Sequence, residues 1–310
     1  MKKIPCKIFA PASVANVAVG YDILGFPIHG LGDEIIIKAG KVKGLTLSTI
    51  HGNRRLSKDI TKNVAGYCAQ LVLEHLGLSN EPIEIELFKN MPIGTGLGSS
   101  AASCVAGAYA VNEYFDRPLK EKDLLPFVTR GEELADGSYH ADNVAPSLLG
   151  GIILIRDNAT LDILRLPNLL RLKAVVVYPH VQVLTKDSRS ILNESLSLEN
   201  HITQSGNLAA FVAALYRSDL ELIRRSLQDV LIEPQRAKLI PLFYQAKSIA
   251  LSENALGFSI SGAGPSMFAL CQNSFIAENI GDKLKELYHN KGIESTIYIS
   301  DINQEGAIRY

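Results

Sequence analysis

Residues 92–103 read PIGTGLGSSAAS, and no other stretch of the chain gathers so many residues able to hold a charged ligand. Gly94, Gly96 and Gly98 stand at alternate positions, Ser99 and Ser100 follow at once, and the alanine-rich run 100–115 reads as a helix. Glycine lets a backbone turn its N–H groups toward a ligand with no Cβ in the way. A helix that starts there adds its own free N–H groups and the positive end of its dipole. Together they make a socket for a polyanion, phosphate before others. Two common phosphate loops do not fit. One needs Gly-Lys-Ser/Thr, and no lysine follows these glycines. The dinucleotide fingerprint needs Gly-x-Gly-x-x-Gly after a strand buried on both faces. Here the pattern is Gly-x-Gly-x-Gly, and the preceding strand, 82–89, alternates Ile83, Ile85 and Leu87 with Glu84 and Glu86. One of its faces is wet, as in an antiparallel sheet.

Other polar residues stand where chemistry is possible. Asn16 and Asp22 lie among apolar neighbours in 10–28, a stretch too rich in small residues and turn formers for one regular element; an Asx-turn is the local alternative. Asn63 stands at the entrance of an amphipathic helix, 62–77, where asparagine caps well. Glu132 and Glu133 are adjacent on the helix 124–134, so only one can face inward. His140 stands in a polar loop, 136–145. Residues 257–271, GFSISGAGPSMFALC, read as a strand, a Gly-Ala-Gly-Pro turn and a second strand, with Gly262 placed for close backbone approach.

The chain that must position these residues has 310 residues, 47% of them hydrophobic, and a formal net charge of −1. At about 150 residues per domain, two domains are expected. Nothing in the charge balance suits nucleic acid or an anionic membrane surface. No run approaches the ~20 apolar residues of a membrane span, and no long apolar run precedes Pro11, so no secretory signal is expected. Cys6, Cys68, Cys104 and Cys271 are scattered singly, without the paired spacing of a zinc site. They read as buried thiols of a cytoplasmic protein.

Strands are expected at 4–10, 82–89, 148–155, 174–178 and 295–300, with 33–39 and 45–50 paired around a turn at 40–44. Helices are expected at 62–77, 100–115, 124–134, over most of 186–231, and at 243–253 and 277–288. Short charged segments between 157 and 173 mark a boundary between a domain at 1–160 and one at 161–310, giving an α+β protein.

The loop PIGTGLGSSAAS resembles the Pro-x-x-x-Gly-Leu-Gly-Ser-Ser-Ala phosphate loop of the GHMP kinases, and SGAGPS (261–266) resembles that family's C-terminal glycine motif. The resemblance implies a two-domain GHMP kinase fold, with a ribosomal-S5-domain-2-like N-terminal domain and a ferredoxin-like C-terminal domain. Within the family, four stretches resemble the branch that phosphorylates homoserine: the opening APASVANVAVGYDILG, GSYHADNVAPSLLGG (137–151), TKDSR (185–189) and EPQRAKLIP (233–241). The activity so implied is transfer of the γ-phosphoryl group of ATP to the hydroxyl of L-homoserine, in threonine biosynthesis. A mevalonate-type or other small-molecule kinase of the family is the alternative, and a non-catalytic family relative is another.

By this resemblance ATP is held by Pro92, Ile93, Gly94, Thr95, Gly96, Leu97, Gly98, Ser99, Ser100, Ala101 and Ala102, with Asn63 near the nucleotide and Thr185 beside the terminal phosphate. Ser100 and Glu132 hold Mg²⁺. Arg189 and Arg236 take the substrate carboxylate, Asp22 its ammonium, and Asn16, His140 and Gly262 the rest of it. A homodimer is a further expectation. Mevalonate-type relatives place an aspartate in the segment that here reads HADNVAPSLLGG. Counting back seven residues from Gly150–Gly151 leads to Asn143 and not to Asp142. Asn143 is therefore the expected catalytic-site residue, Asp142 is expected to cap or to face solvent, and no carboxylate is expected to act as an essential base.

Overall fold

Alternating apolar side chains build the first sheet. Its members are β1 (Cys6–Ala15), β2 (Leu24–Ala39), β3 (Leu45–His51) and, after helix α1 (Val64–His75), β4 (Ile83–Phe88). The computed structural model describes residues 3–53, 55–181, 185–193 and 195–310, with 185–187 by backbone only. Ile83, Ile85 and Leu87 of β4 are buried while Glu84 and Glu86 between them are half-exposed, as the alternation requires.

The hairpin expected between β2 and β3 does not form. β4 lies between them, antiparallel to β2 (Ile35 opposite Leu87, Ile37 opposite Ile85) and parallel to β3 (Leu45 opposite Ile83). A parallel neighbour needs a crossover, and α1, whose Ala65, Cys68, Ala69, Val72 and Leu73 are buried, supplies it. The strand before the glycine loop thus has the expected wet face but belongs to a mixed sheet.

Helix α2 (Ser99–Tyr114) is buried on nearly all sides and runs beneath the sheet, flanked by α1 and α3 (Leu125–Asp136). Its alanines and Gly107 allow that: a Cβ on Gly107 would collide with the backbone of Ala65 on α1. After α3 the sequence reading placed a strand at 148–155. The structure instead forms helix α4 (Val144–Leu149) and only then β5 (Ile152–Asp157), because Val144, Ala145 and Leu148 have helical spacing toward the core and Gly150–Gly151 breaks the run. β6 (Asp162–Leu166) pairs with β5, and β11 (Ile308–Arg309), at the far end of the chain, pairs with β1.

The second sheet is antiparallel in the order β10 (Ser295–Asp301), β7 (Lys173–Pro179), β9 (Met267–Cys271), β8 (Gly257–Ile260). The continuous apolar run of β7 follows from burial on both faces. Ala174 and Val176 join the core shared with the first sheet, where the rings of Phe26 and Phe268 meet edge to face at 5.9 Å, while Val175 and Val177 face α9 (Phe243–Ser252) and α10 (Ser274–His289). Helices α5 (Thr185–Ser190), α6 (Leu198–Arg217), α7 (Leu220–Ser226) and the short α8 (Glu233–Arg236) connect β7 to α9. Among the described residues no helix is long and apolar enough to cross a membrane.

Candidate active site

The glycine loop enters α2 through Gly98, whose left-handed φ of +65° leaves the helix without a side-chain cap. Three successive carbonyls of the loop are engaged from outside. Thr95 O accepts the N–H of Ser266 at 3.1 Å, Gly96 O accepts from Ser261 Oγ at 2.7 Å, and Leu97 O accepts the N–H of Ser13 at 3.1 Å. With the carbonyls turned out, the amides turn in. Among the described residues no protein acceptor takes the backbone N–H of any residue from 94 to 101. The hydroxyls of Thr95 and Ser99 are buried beside them without a partner. Orphaned buried donors in a row are costly unless a ligand meets them, and the helix dipole adds to their pull on an anion.

These amides open into a cleft of about 410 Å³ between the two sheets' connecting segments. Asn16, Asp22, Asn63, Ile93, Gly94, Thr95, Gly96, Gly98, Ser99, Ser100, Glu132, His140, Asn143, Arg189, Arg236 and Gly262 all line it. Leu97, Ala101 and Ala102 lie behind it in the core and can offer only backbone, and Pro92 is exposed outside it. Thr185 begins α5, but its side chain lies outside the described residues. Asn63 fills two roles, lining the cleft while its Oδ1 caps α1 through the N–H of Ala65 at 3.1 Å.

Glu132 points inward from α3 and is buried, whereas Glu133 is exposed. Burial pushes the Glu132 carboxyl up to about 7, partly offset by a hydrogen bond from Ser100. A carboxylate held in this way gains most from a cation placed beside it.

Asp142 departs from the expectation that it caps or faces solvent: neither it nor His140, which lines the cleft, is a surface group. Asp142 is buried and its Oδ1 contacts His140 Nδ1, while Asp136 approaches Nε2 at 3.6 Å. Burial opposes charge on the imidazole, but Asp142, Asp136 and Asp22 outweigh it and push His140 up to about 11. Asp22, His140 and Asp142 have ligand atoms within 4.8 Å of one another. An imidazolium has no lone pair to give a metal, so this trio is an ion network.

Across the cleft, Arg189 reaches Asp22 through two contacts, at 3.3 and 3.4 Å. Burial, and then Asp142, push Asp22 above the ordinary aspartate value. Arg236 is buried with no carboxylate partner among the described residues. Its guanidinium stacks on Tyr21 at 5.0 Å, donates to Gly262 O at 2.9 Å and Ser188 O at 3.0 Å, and loses basicity to burial. The Tyr21 hydroxyl accepts from both arginines, at 3.4 Å and 3.3 Å. Asn16 binds this half together: Oδ1 accepts the Asp22 N–H and Nδ2 donates to Gly262 O, both at 3.0 Å. The oxygen reaches six residues along the chain, so this is not the Asx-turn that was the local alternative, and Asn16 lines the cleft. It begins a left-handed turn, with φ of +71°, +42° and +59° at Asn16, Val17 and Ala18. Three non-glycine residues in that region store strain.

Asn143 receives the Ser13 hydroxyl on Oδ1 at 2.9 Å. The sequence reading missed Ser13, Tyr21, Lys89, Ser103, Asp136 and Asp142. Two had a signal: Tyr21 adjoins Asp22, and Asp136 is one helical turn before His140. Lys89 ends an alternating strand directly before the loop, yet a terminal lysine ordinarily means a solvated strand end.

Comparison with known proteins identifies the family. The GHMP kinases N terminal domain matches residues 63–151 and the GHMP kinases C terminal domain matches 211–290. A homoserine kinase of Chloroherpeton thalassium is 41% identical, over 96% of this chain and 97% of that protein, and one of Chlorobium phaeobacteroides (strain BS1) is 39% identical over the same shares. The crystal structure of homoserine kinase from Cytophaga hutchinsonii superposes with a TM-score of 0.96 at 46% identity, covering 99% of this chain and 97% of that one. A mevalonate kinase structure at 17% identity and a TM-score of 0.71 shares the fold. The chain belongs to the GHMP kinase family, in its homoserine kinase branch.

Proposed function

We propose that the cleft transfers the γ-phosphoryl group of ATP to the hydroxyl of L-homoserine, giving O-phospho-L-homoserine and ADP. The observation that carries this reading is the pairing of two unlike halves in one cleft. Inward-facing amides suit a polyphosphate, and a few residues away two guanidinium groups and a carboxylate suit the two ends of an amino acid. Arg236, buried without a carboxylate, takes the substrate carboxylate together with Arg189. Asp22, released from Arg189, meets the ammonium. Asn16, Gly262 and His140 hold the frame around it. Neutral-headed substrates of the same family would leave that charge set unmatched.

The site fits a divalent cation. Glu132 is a buried carboxylate with the Ser100 hydroxyl on it and the amide-lined loop beside it, an oxygen donor set of the kind Mg²⁺ takes along with phosphate oxygens and water. When bound there, the cation neutralises charge on the transferring phosphate. In the step itself the homoserine oxygen forms a bond to the γ-phosphorus as the bond from that phosphorus to the β-bridging oxygen breaks. The hydroxyl proton passes to phosphate or solvent. No free base stands ready: His140 is held as a cation, Asp142 is its partner, and the amide of Asn143 only orients. Positioning and charge stabilisation suffice for a loose transition state. Coupled ADP release with homoserine, mevalonate and a sugar panel, with and without Mg²⁺, tests the reading. Turnover of homoserine alone, abolished by a chelator, is expected; turnover of mevalonate and none of homoserine overturns it.

A further inference from the structure

Beneath the glycine loop, where Lys89 and Ser103 form part of the cleft's wall, lies a nearly water-free ion pair to which the proposed transfer assigns no step. Lys89 and Asp33 contact each other with side chains 3% and 0% exposed. Each of their remaining polar contacts goes to one of two places. Asp33 Oδ1 accepts the N–H of Asn90 and of Met91, both at 3.1 Å, which is where the chain turns into the loop. Lys89 Nζ donates to Ser99 O at 2.6 Å and to Ser103 Oγ at 3.0 Å, which is where the chain leaves it along the first turn of α2. Ser103 Oγ closes the ring by donating to Asp33 Oδ2 at 2.6 Å.

We propose that Lys89 and Asp33 are positioning residues for the nucleotide: a buried clasp that ties the two ends of the phosphate loop together and so holds its amides aimed at the polyphosphate. The inference rests on the nucleotide reading of the cleft given above. Three features argue for it over a purely stabilising pair. Taking two charges fully out of water is costly, and a well-packed apolar pair would serve stability as well or better. The lysine lines the cleft, but its three donors are all spent, on Asp33, Ser99 and Ser103, so in this geometry it acts through the loop. The loop's other outward ties, from Ser13, Ser261 and Ser266, are neutral and come from separate segments of the chain. Among the described residues the clasp alone of these ties carries charge and joins the loop's two ends. It pulls the Ser99 carbonyl outward as the others pull those of Thr95, Gly96 and Leu97, so the amides that follow stay turned to the cleft.

Two variants test this. The double variant Lys89→Met with Asp33→Asn removes both charges and keeps an acceptor for the Asn90 and Met91 amides. Ser103→Ala removes the hydroxyl bridge and leaves the charges paired. ADP affinity by calorimetry and the KM values for ATP and homoserine are measured on protein whose cooperative melting shows it folded. The double variant is expected to weaken ADP and raise the ATP KM about tenfold, the factor one charge-assisted hydrogen bond represents, and Ser103→Ala about threefold, with the homoserine KM within about twofold of wild type. If the double variant does not fold, Ser103→Ala decides. Variants that melt earlier yet bind ADP as wild type does overturn the clasp and leave a merely structural pair. Failure of the wild type itself to bind ADP would instead overturn the nucleotide reading on which the clasp rests.

Discussion

Glu132 makes a prediction that needs no substrate. It is buried, and burial raises its carboxyl from 4.5 to about 7 despite the hydrogen bond from Ser100. A group that holds its proton more tightly when folded stabilises the fold below its unfolded pKa and loses that contribution as pH rises through the folded value. The protein free of ligand should therefore lose stability between pH 4.5 and 7, by about 3 kcal/mol at order of magnitude. Glu132→Gln keeps shape and an acceptor for Ser100 and has nothing to ionise. Chemical denaturation of wild type and Glu132→Gln from pH 5 to 8, without divalent cation, isolates the effect. His140, pushed up to about 11, adds its own loss above pH 6.5, but it is present in both proteins and largely cancels in the difference. Wild type should lose stability relative to Glu132→Gln as pH rises from 5 to 7, with little further change to pH 8. Equal pH slopes would show that Glu132 is solvated and not held dry against the cleft. The same linkage acts on binding: Mg²⁺–ADP affinity in wild type should fall about tenfold per pH unit below 7 and level off above it.

Arg189→Leu or Arg236→Leu should raise the KM for homoserine about ten- to a hundredfold, the weight of a lost charge-assisted contact, and leave the KM for ATP nearly unchanged; equal losses for both substrates would indicate damage to the cleft's frame, since Arg236 also holds Gly262 and Ser188. Gly96→Val should weaken ADP binding as measured by calorimetry, because its φ is +76° and a Cβ there meets Ser261 O at 2.5 Å and Gly264 O at 2.7 Å. The collision is with the second glycine turn and not with phosphate, so the loop must shift for the variant to fold; unchanged affinity would show that the loop does not cradle the nucleotide. Asn143→Ala should slow turnover moderately, and Asp142→Asn, which removes the buried carboxylate that fixes the charge on His140, should raise the homoserine KM and slow turnover together; loss of kcat alone, with both KM values and the fold intact, would make Asp142 the base.

Local signals carried far. The loop and α2 and the cap at Asn63 follow from residue type and spacing within one or two turns, while the resemblance, not local spacing, chose Glu132 over Glu133. What failed were choices made between distant segments. Residues 33–39 and 45–50 look like a hairpin because the turn between them suits one, and nothing local says that Ile83, Ile85 and Leu87 fit between them better. Residues 144–149 are apolar enough for either a strand or a helix, and packing against α2 and β1 decides for the helix. β11 is too short to show any period and exists because β1 offers an edge.

The site was legible by a different route, and its errors are instructive for that reason. The motifs named the residues that could touch ligand, but a motif is silent about what holds those residues. Asp142 was set aside because it falls one place out of register. In the structure it is buried precisely where register predicts no ligand, beneath His140, whose charge it fixes. Tyr21 drew no site reading, yet its hydroxyl accepts from both arginines and its ring lies under Arg236. Lys89, the last residue of the expected strand, drew no reading of its own and is almost fully buried. In each case burial converts a residue that would titrate or wander in water into a fixed charge or fixed donor. Burial depends on the whole chain, which spacing along one segment does not record. A transfer that relies on preorganised charge more than on a base draws its rate from such residues, and so the part of this site hardest to read in the sequence is the part that holds its electrostatics in place.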